Sequence, residues 1–356
     1  MKRLMTIIGA LLIISLPVTA LLLYVPACND KPTQPPPPEP EEDYRVWFIN
    51  VANSHMVYTY QPSLGDIDST EIPWSIGGLT ASADGSKLYI SGEQSVTVID
   101  SDSHELVAEL PYDPRRSVAV SPDGRYVAIP GDSLWILRTS DYTLVYLDTL
   151  ETGAGRFSAD SRHYYTVASH VRKYGPLDGS IQVTTKIFDQ TAITQVIPTP
   201  DEAKWLMYAR LSPMYTWAFI VYEPASDSVI FMEILQPGAG YVAMTPDGHY
   251  AFYGNPGTIS FGPSPTMDFR VFDVQSNAID CIVSTEVVVD SMPVEWFAVG
   301  EMVVTPDGKW LVAMDTPAGP PHQLLAYDLT GAKFMDYRSF GTHNVAITYL
   351  TAQLSR

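Results

Sequence analysis

The residues with the greatest potential for chemistry are the carboxylates and histidines, and their spacing forms no complete site. Alternating acids occur in DSDSHE (100–105) and GDID (65–68), but neither stretch has the glycine and the distal glutamate of a calcium loop. The seven histidines are scattered with no pair at a zinc-binding interval, and the two cysteines form no CxxC pair. The sequence therefore predicts no metal site and no cofactor.

The sequence also contains no recognisable motif for a catalytic nucleophile. GDSLW (131–135) contains four letters that resemble the signature of a family of serine hydrolases. Here they precede a predicted strand, far from the N-terminal sheet position that this chemistry requires. No GxSxG elbow occurs. No catalytic residues are assigned.

Composition indicates a large globular domain with an acidic surface. The 356 residues are 46% hydrophobic and 17% charged, enough to form one large core or two ordinary ones. The formal net charge of −19 would repel a phosphate backbone or an anionic membrane surface. Nucleic acid is therefore not an expected partner.

The first residues predict a secretory leader, residues 1–27. Two positive charges precede an uncharged apolar run (4–25), which is typical of a signal peptide. VPAC (25–28) resembles the bacterial lipobox, and the resemblance implies cleavage before Cys28 and attachment of lipid to Cys28. A retained signal anchor is the alternative, because the run is long enough to span a bilayer and Pro26 departs from the commoner motif.

Residues 28–43 predict a spacer between this anchor and the rest of the chain. Four consecutive prolines are flanked by acids in NDKPTQPPPPEPEED (29–43). Such a composition favours an extended, solvated chain over helix or strand. We therefore expect a domain of residues 44–356 that is held at a membrane by its N-terminal lipid, in the cell envelope outside the cytoplasm.

A short turn motif recurs along this domain. In SPDG (121–124), proline presets φ for the first corner, aspartate suits the second and glycine accepts φ > 0. This predicts a type I turn that joins two antiparallel strands. A degenerate copy is expected between 198 and 218, where TPDEAKWLMYA and SPMYTWAFIV are the two candidates. The clear copies contain Asp84, Asp123, Asp160, Asp247 and Asp307.

A second unit consists of an apolar strand, an acidic or polar residue, a short turn and another strand. VTVIDSDSHELVAEL (96–110) shows it most clearly. Seven copies are predicted, at residues 46–60, 96–110, 134–147, 185–197, 219–234, 269–283 and 324–337.

The alternation of the two units predicts the fold. Each period holds four antiparallel strands, A to D, and seven periods in residues 44–356 give roughly 45 residues each, as in propeller blades. The domain begins with the second unit alone and ends with an unpaired inner strand, NVAITYL (344–350). The two ends are expected to share one blade, which removes two sheet edges. We predict an all-β, seven-bladed β-propeller that forms a monomeric ring.

The stretch VTVIDSDSHELVAEL…SVAVSPDGRYVAI (96–129) resembles the YVTN-type propeller repeats of bacterial surface and periplasmic proteins, which are relatives of WD-repeat propellers. The resemblance covers nearly all of residues 44–356 and implies the propeller fold. Propellers of this kind include binding proteins, lactonases and subunits of amine dehydrogenases, so the resemblance leaves the activity open.

Because successive strands of a blade run in opposite directions, the connections between them alternate between the two faces of the ring. The A–B and C–D turns lie on one face, and the B–C and D–A connections lie on the other. Long loops on a rigid scaffold often carry recognition. The long insertions are all predicted on the second face, at 61–78, 168–183, 254–268, 284–300 and 315–323.

Four residues in these insertions are of types that anchor interfaces: Trp74, Arg172, Tyr174 and Trp296. Packing between blades is the alternative role for them. The predicted function is binding of a protein or an envelope polymer through the long-loop face, without catalysis.

An enzyme at the mouth of the central channel, of the lactonase-type hydrolase class, is the alternative function. His163, His249 and His343 lie near predicted inner strands or their turns, where they could approach the channel. A structural role is nevertheless predicted for each of these histidines.

Overall fold

The computed structural model describes most of the predicted domain. The predictions for the leader, for Cys28 and for the linker lie outside the described residues, as do Trp74 and Trp296. In the part of the chain that is described, no helix is long and apolar enough to cross a bilayer. The described residues are 44–50, 53–61, 66–71, 77–92, 94–114, 118–150, 152–167, 170–188, 191–212, 216–235, 241–254, 266–286, 299–315, 322–329, 337–343 and 347–354.

The regular structure in these ranges consists of β-strands. The first fourteen are β1 (Tyr44–Asn50), β2 (Asn53–Gln61), β3 (Asp66–Glu71), β4 (Gly78–Ala81), β5 (Lys87–Ser91), β6 (Val96–Asp100), β7 (Leu106–Leu110), β8 (Ala119–Val120), β9 (Tyr126–Pro130), β10 (Leu134–Arg138), β11 (Leu144–Asp148), β12 (Gly155–Phe157), β13 (Tyr164–Val167) and β14 (His170–Gly175). The others are β15 (Gln182–Ile187), β16 (Thr191–Pro198), β17 (Trp205–Leu211), β18 (Thr216–Glu223), β19 (Ser228–Leu235), β20 (Val242–Met244), β21 (Tyr250–Gly254), β22 (Thr266–Asp273), β23 (Ala278–Glu286), β24 (Val299–Val304), β25 (Trp310–Asp315), β26 (His322–Asp328), β27 (Tyr337–His343) and β28 (Ile347–Leu354).

These strands form seven four-stranded antiparallel sheets, the blades of a ring. Blade 1 is β4–β7, blade 2 is β8–β11, blade 3 is β12–β15, blade 4 is β16–β19, blade 5 is β20–β23 and blade 6 is β24–β27. Blade 7 has the order β28-β1-β2-β3. The innermost strands contact one another in sequence from β4 to β24 and through β28 back to β4. The predicted all-β, seven-bladed β-propeller is confirmed, including the blade shared by both ends of the domain.

The hydrophobic core lies between neighbouring blades. Trp47 and Val57 of blade 7 belong to one buried cluster with Leu79 of blade 1. Phe219 of blade 4 stacks on Tyr253 of blade 5 with ring centroids 3.9 Å apart. Because alternate residues of a strand point to opposite sides of the sheet, each blade packs against two neighbours. This explains why the middle strands read as nearly continuous apolar runs.

All six copies of the turn motif form A–B turns. The degenerate copy is TPDE (199–202), since residues 216–221 of the competing SPMYTWAFIV stretch belong to β18. The fourth residue of every copy has a left-handed φ between 56° and 73°, as the motif predicts: Gly85, Gly124, Ser161, Glu202, Gly248 and Gly308.

Two of the seven predicted C–D hairpins are wrong. Residues 46–60 form strands B and C of blade 7, and β3, inside the predicted insertion 61–78, is its strand D. Residues 185–197 contain the end of strand D of blade 3 and most of strand A of blade 4. A B–C hairpin or a D–A link has the same apolar–polar–apolar pattern as a C–D hairpin. Only the pairing partners distinguish them.

A hydrogen-bond network explains the recurrence of the turn motif. In the turn of blade 5, the hydroxyl of Thr245 donates to Asp247 Oδ1 at 2.5 Å and accepts the amide of Tyr250 at 3.0 Å. Asp247 Oδ1 also accepts the amide of His249 at 2.9 Å. The other five turns contain the same three bonds, centred on Ser82, Ser121, Ser158, Thr199 and Thr305. The motif therefore satisfies backbone amides that the tight turn would otherwise leave unpaired.

Replacing Thr245 by alanine should lower the free energy of unfolding by about 1–2 kcal/mol, because it leaves the Tyr250 amide without its acceptor. Urea denaturation measures this loss. Thr245→Ser is the matched control, since serine already serves this position in blades 1 to 3, and it should retain most of the stability. Equal losses in the two variants would show that the methyl group, rather than the hydroxyl, carries the effect.

Candidate functional site

The connections lie on two faces of the ring. We call the face with the A–B and C–D turns the turn face, and the face with the B–C and D–A connections the loop face. The two longest connections, residues 255–265 and 287–298, belong to the loop face. The longest on the turn face is the C–D connection of blade 6, residues 329–336. The prediction that the long connections lie on the loop face is therefore correct for the two longest, whereas the connection of residues 329–336 lies on the turn face.

Arg172 and Tyr174 lie in a strand and not in a loop. Both belong to β14, so the predicted insertion at 168–183 is wrong. Tyr174 is fully buried, and its hydroxyl donates to Oδ2 of Asp148 on blade 2 at 2.9 Å. Burial raises the pKa of Tyr174 to about 12. Arg172 is 12% exposed, with Nη1 3.9 Å from the same oxygen. Both side chains thus have the alternative role, packing between blades.

A similar arrangement occurs between blades 4 and 5. Glu233, on the outermost strand of blade 4, accepts hydrogen bonds from the hydroxyl of Tyr253 and from Nε of Arg270, the latter at 3.3 Å. Burial, together with the charge of Glu233, raises the pKa of Tyr253. In both places an acid on the outermost strand of one blade accepts a hydrogen bond from a tyrosine of the next blade, and an arginine of that blade lies within 4 Å of the acid. We therefore interpret the contacts of Arg172 and Tyr174 with Asp148 as structural contacts that join blades 2 and 3.

A denser polar cluster lies on the turn face, between blades 3 and 4. Its centre is Glu202, whose Oε1 is 2.6 Å from Nδ1 of His163. Glu202 Oε2 accepts hydrogen bonds from the hydroxyl of Tyr165, at 2.7 Å, and from the ammonium group of Lys173. The side chains of Glu202 and His163 are 15% and 21% exposed. We call these four residues and the adjacent Asp160 the Glu202 cluster.

The fold assembles the Glu202 cluster from two blades. Tyr165 and Lys173 are register partners in β13 and β14, so both side chains leave the sheet on the side of blade 4. His163 follows the A–B turn of blade 3, and its ring packs against Gly175, where a Cβ would lie 2.4 Å from His163 Cδ2. Glu202 ends the A–B turn of blade 4 at a left-handed φ of 56°, where four of the six turns have glycine.

The electrostatics of the cluster favour ionised carboxylates. Burial alone would raise the pKa of Glu202, but the hydrogen bonds from Lys173, Tyr165 and His163 outweigh burial, and the pKa lies below its usual value. The pKa of Asp160 is also lowered, because the hydrogen bonds that its carboxylate accepts outweigh its burial. Two carboxylates therefore lie beside the imidazole, Glu202 paired with the ammonium group of Lys173 and Asp160 near the charge of Arg162.

No sequence motif identifies this cluster. His163 and Glu202 are 39 residues apart and belong to different blades, so no fixed spacing links them. The usable signal is Glu202 itself, which occupies a turn position that favours glycine. The structural role predicted for His163 agrees with its contacts. His249 occupies a different setting, with Nε2 3.9 Å from Asp273 Oδ2, and the side chain of His343 lies outside the described residues.

Comparisons with known proteins support the fold alone. No protein-family model and no curated protein matches the chain. Hydrazine synthase of Kuenenia stuttgartiensis is similar in structure with a TM-score of 0.56 at 17% identity, over 71% of this chain and 76% of that chain. The β-propeller domain of Cps50 (Swd1) of Myceliophteria thermophila has a TM-score of 0.56 at 10% identity, over 78% and 90%. A chain of the mitotic checkpoint complex has a TM-score of 0.59 at 13% identity, over 78% and 82%. At these identities the similarity establishes a β-propeller and assigns no activity or partner to this chain.

Proposed function

We propose that this protein is a tethered, non-catalytic binding protein that recognises a protein or an envelope polymer through the loop face. The observation that carries the proposal is the arrangement of the two faces. The two longest connections lie on the loop face, whereas the chain enters the ring from the opposite side. A rigid ring that presents long connections away from its attachment point is suited to recognition.

The entry point follows from the strand order. β1 is the second strand of blade 7, and in the other six blades the second strand begins after the A–B turn. Tyr44, the first residue of β1, therefore lies on the turn face. The sixteen residues 28–43 would reach roughly 50 Å as an extended polyproline-type chain at about 3.1 Å per residue. A lipid on Cys28 would then leave the loop face directed away from the membrane.

Charge limits the chemistry of the partner. Removal of the leader with Lys2 and Arg3 would change the net charge from −19 to −21. A surface of this sign disfavours polyanions, including nucleic acid. The partner is expected to be a neutral or basic protein surface, or an envelope polymer without dense negative charge.

Shortening the loop-face connections tests the proposal. Residues 255–265 and 287–298 are each replaced by a short glycine-rich turn, and the C–D connection 329–336 on the turn face is shortened as the matched control. Crosslinking in intact cells and affinity purification identify the partner, and titration with the purified partner follows. Affinity should fall by about tenfold or more in the loop-face variants and stay unchanged in the control. Equal affinity in all three variants would contradict recognition through the loop face.

Lipid attachment is tested separately by labelling with palmitate, which the wild-type chain should incorporate and Cys28→Ala should not. Cys28 and Cys281 are the two cysteines of the sequence, so a disulfide between them is the alternative fate of Cys28. One sulphur atom cannot carry both a thioether-linked lipid and a disulfide. Mass spectrometry of the mature chain distinguishes a lipid on Cys28 from a disulfide at Cys28. A Cys28–Cys281 disulfide without lipid would contradict the proposed anchor.

A further inference from the structure

We propose that Asp160, His163 and Glu202 form a binding site for a divalent transition-metal ion at the junction of blades 3 and 4. Each residue offers one ligand atom, and these three atoms all lie within 4.8 Å of one another. The site would be on the turn face. It is therefore independent of recognition through the loop face.

The distances suit an ion that replaces a proton. His163 Nδ1 and Glu202 Oε1 are 2.6 Å apart, a separation that a shared proton bridges. Two ligands of a tetrahedral Zn²⁺ at ~2.0–2.1 Å are roughly 3.3 Å apart, so metal binding requires these two atoms to separate by less than ~1 Å. The ligand oxygen of Asp160 lies within 4.8 Å of the other two ligand atoms, so it needs to approach them by at most about 1.5 Å.

The surrounding contacts orient the three ligands. Glu202 Oε2 is held by Tyr165 and Lys173, which leaves Oε1 directed at His163. Asp160 Oδ1 accepts the hydroxyl of Ser158 at 2.6 Å and the amide of Arg162 at 3.0 Å. Hydrogen bonds that fix ligand orientation in this way are typical of protein metal sites.

The position of the imidazole is also fixed. Gly175 leaves space for the ring, because a Cβ there would lie 2.4 Å from His163 Cδ2 and 2.7 Å from the carbonyl oxygen of Arg162. A ring held from this side keeps Nδ1 directed at Glu202. The site therefore needs little rearrangement of its only nitrogen ligand.

The donor set and the charge select the class of ion. One imidazole nitrogen and two carboxylates suit Zn²⁺ or Mn²⁺, whereas Ca²⁺ prefers six to eight oxygen ligands. The ammonium group of Lys173 offsets one carboxylate and moderates the affinity. An ion bound here would join two blades, so its binding free energy would add to the stability of the folded ring.

Isothermal titration of the full-length, chelator-treated protein in detergent tests the site with Zn²⁺, Mn²⁺ and Ca²⁺. We expect one Zn²⁺ per chain, and a rise of about 3 °C or more in the midpoint of thermal unfolding when Zn²⁺ is at ~100 times its dissociation constant. His163→Gln and Asp160→Asn should each weaken Zn²⁺ binding by at least about tenfold. His249→Gln is the matched control and should bind Zn²⁺ like the wild type.

No binding of Zn²⁺ or Mn²⁺ at millimolar concentration would overturn the proposal, and so would unchanged binding in His163→Gln. Carbethoxylation of the wild-type chain, mapped by mass spectrometry, keeps the test decisive if a variant fails to fold. Zn²⁺ should slow the modification of His163 and leave that of His249 unchanged. Equal rates at His163 with and without Zn²⁺ would refute the site.

Discussion

Deletion of residues 345–356 should abolish cooperative folding of the ring. β28 is the innermost strand of blade 7 and pairs with β1 from Tyr44↔Leu354 to Asn50↔Ile347. It also contacts the innermost strands of blades 1 and 6. Its loss would open the ring, expose the edge of β1 and uncover the apolar sides of two neighbouring blades. Proteins of this kind have only about 5–15 kcal/mol of net stability, which this damage should exceed.

Urea denaturation followed by circular dichroism and by tryptophan fluorescence measures the effect. The truncated chain should lack a sigmoidal transition, or should unfold with a much smaller m-value, because less surface is buried in its native state. Deletion of residues 1–43 is the matched control at the other end and should leave the midpoint unchanged. A truncated chain with the wild-type midpoint and m-value would show that closure by β28 contributes little to stability.

The sequence predicts the ring because its repeating element is local. Each A–B turn is held by hydrogen bonds among residues no more than five positions apart, such as Thr245 to Tyr250, so the motif is visible without knowledge of the fold. The assignment of hairpins to blades is not local. Residues 185–197 look like a hairpin, yet β15 pairs with β14 and β16 pairs with β17. Pairing between neighbours in space decides the blade, and spacing alone does not encode it.

The candidate sites were harder to predict for the same reason. The buried environment of Tyr174 comes from blade 2, where Asp148 accepts its hydroxyl and Tyr146 packs against its ring. These contacts make a residue of a presumed surface loop part of the core. The Glu202 cluster likewise combines side chains from four strands or turns of two blades. The sequence shows only that Glu202 occupies a turn position that favours glycine. The role of Glu202 depends on Lys173 and His163 of the neighbouring blade.

Replacing Glu202 by alanine should lower the free energy of unfolding at pH 7 by about 2–3 kcal/mol, because it leaves the largely buried Lys173, Tyr165 and His163 without their acceptor. Glu202→Gly is the informative companion. It removes the same contacts but relieves the left-handed φ of 56°, which costs a non-glycine residue about 1 kcal/mol. The glycine variant should therefore be more stable than the alanine variant by about that amount. Equal stability of the two variants would mean that the backbone at this turn is not strained.

The pH dependence of the unfolding free energy of Glu202→Gln distinguishes the contribution of the charge of Glu202 from that of its shape. The pKa of Glu202 is lowered in the folded state, so its carboxylate stabilises the fold above the unfolded pKa of about 4.3, and this contribution is lost as pH falls through the folded pKa. The difference in unfolding free energy between the wild type and Glu202→Gln should shrink as the pH falls below about 4.3. Urea denaturation at a series of pH values measures this difference in chelator-treated protein, which excludes a contribution from metal.

A difference that persists unchanged to pH 3 would show that the amide fails to replace the carboxylate for steric reasons. The ion pair with Lys173 would then not be what joins blades 3 and 4.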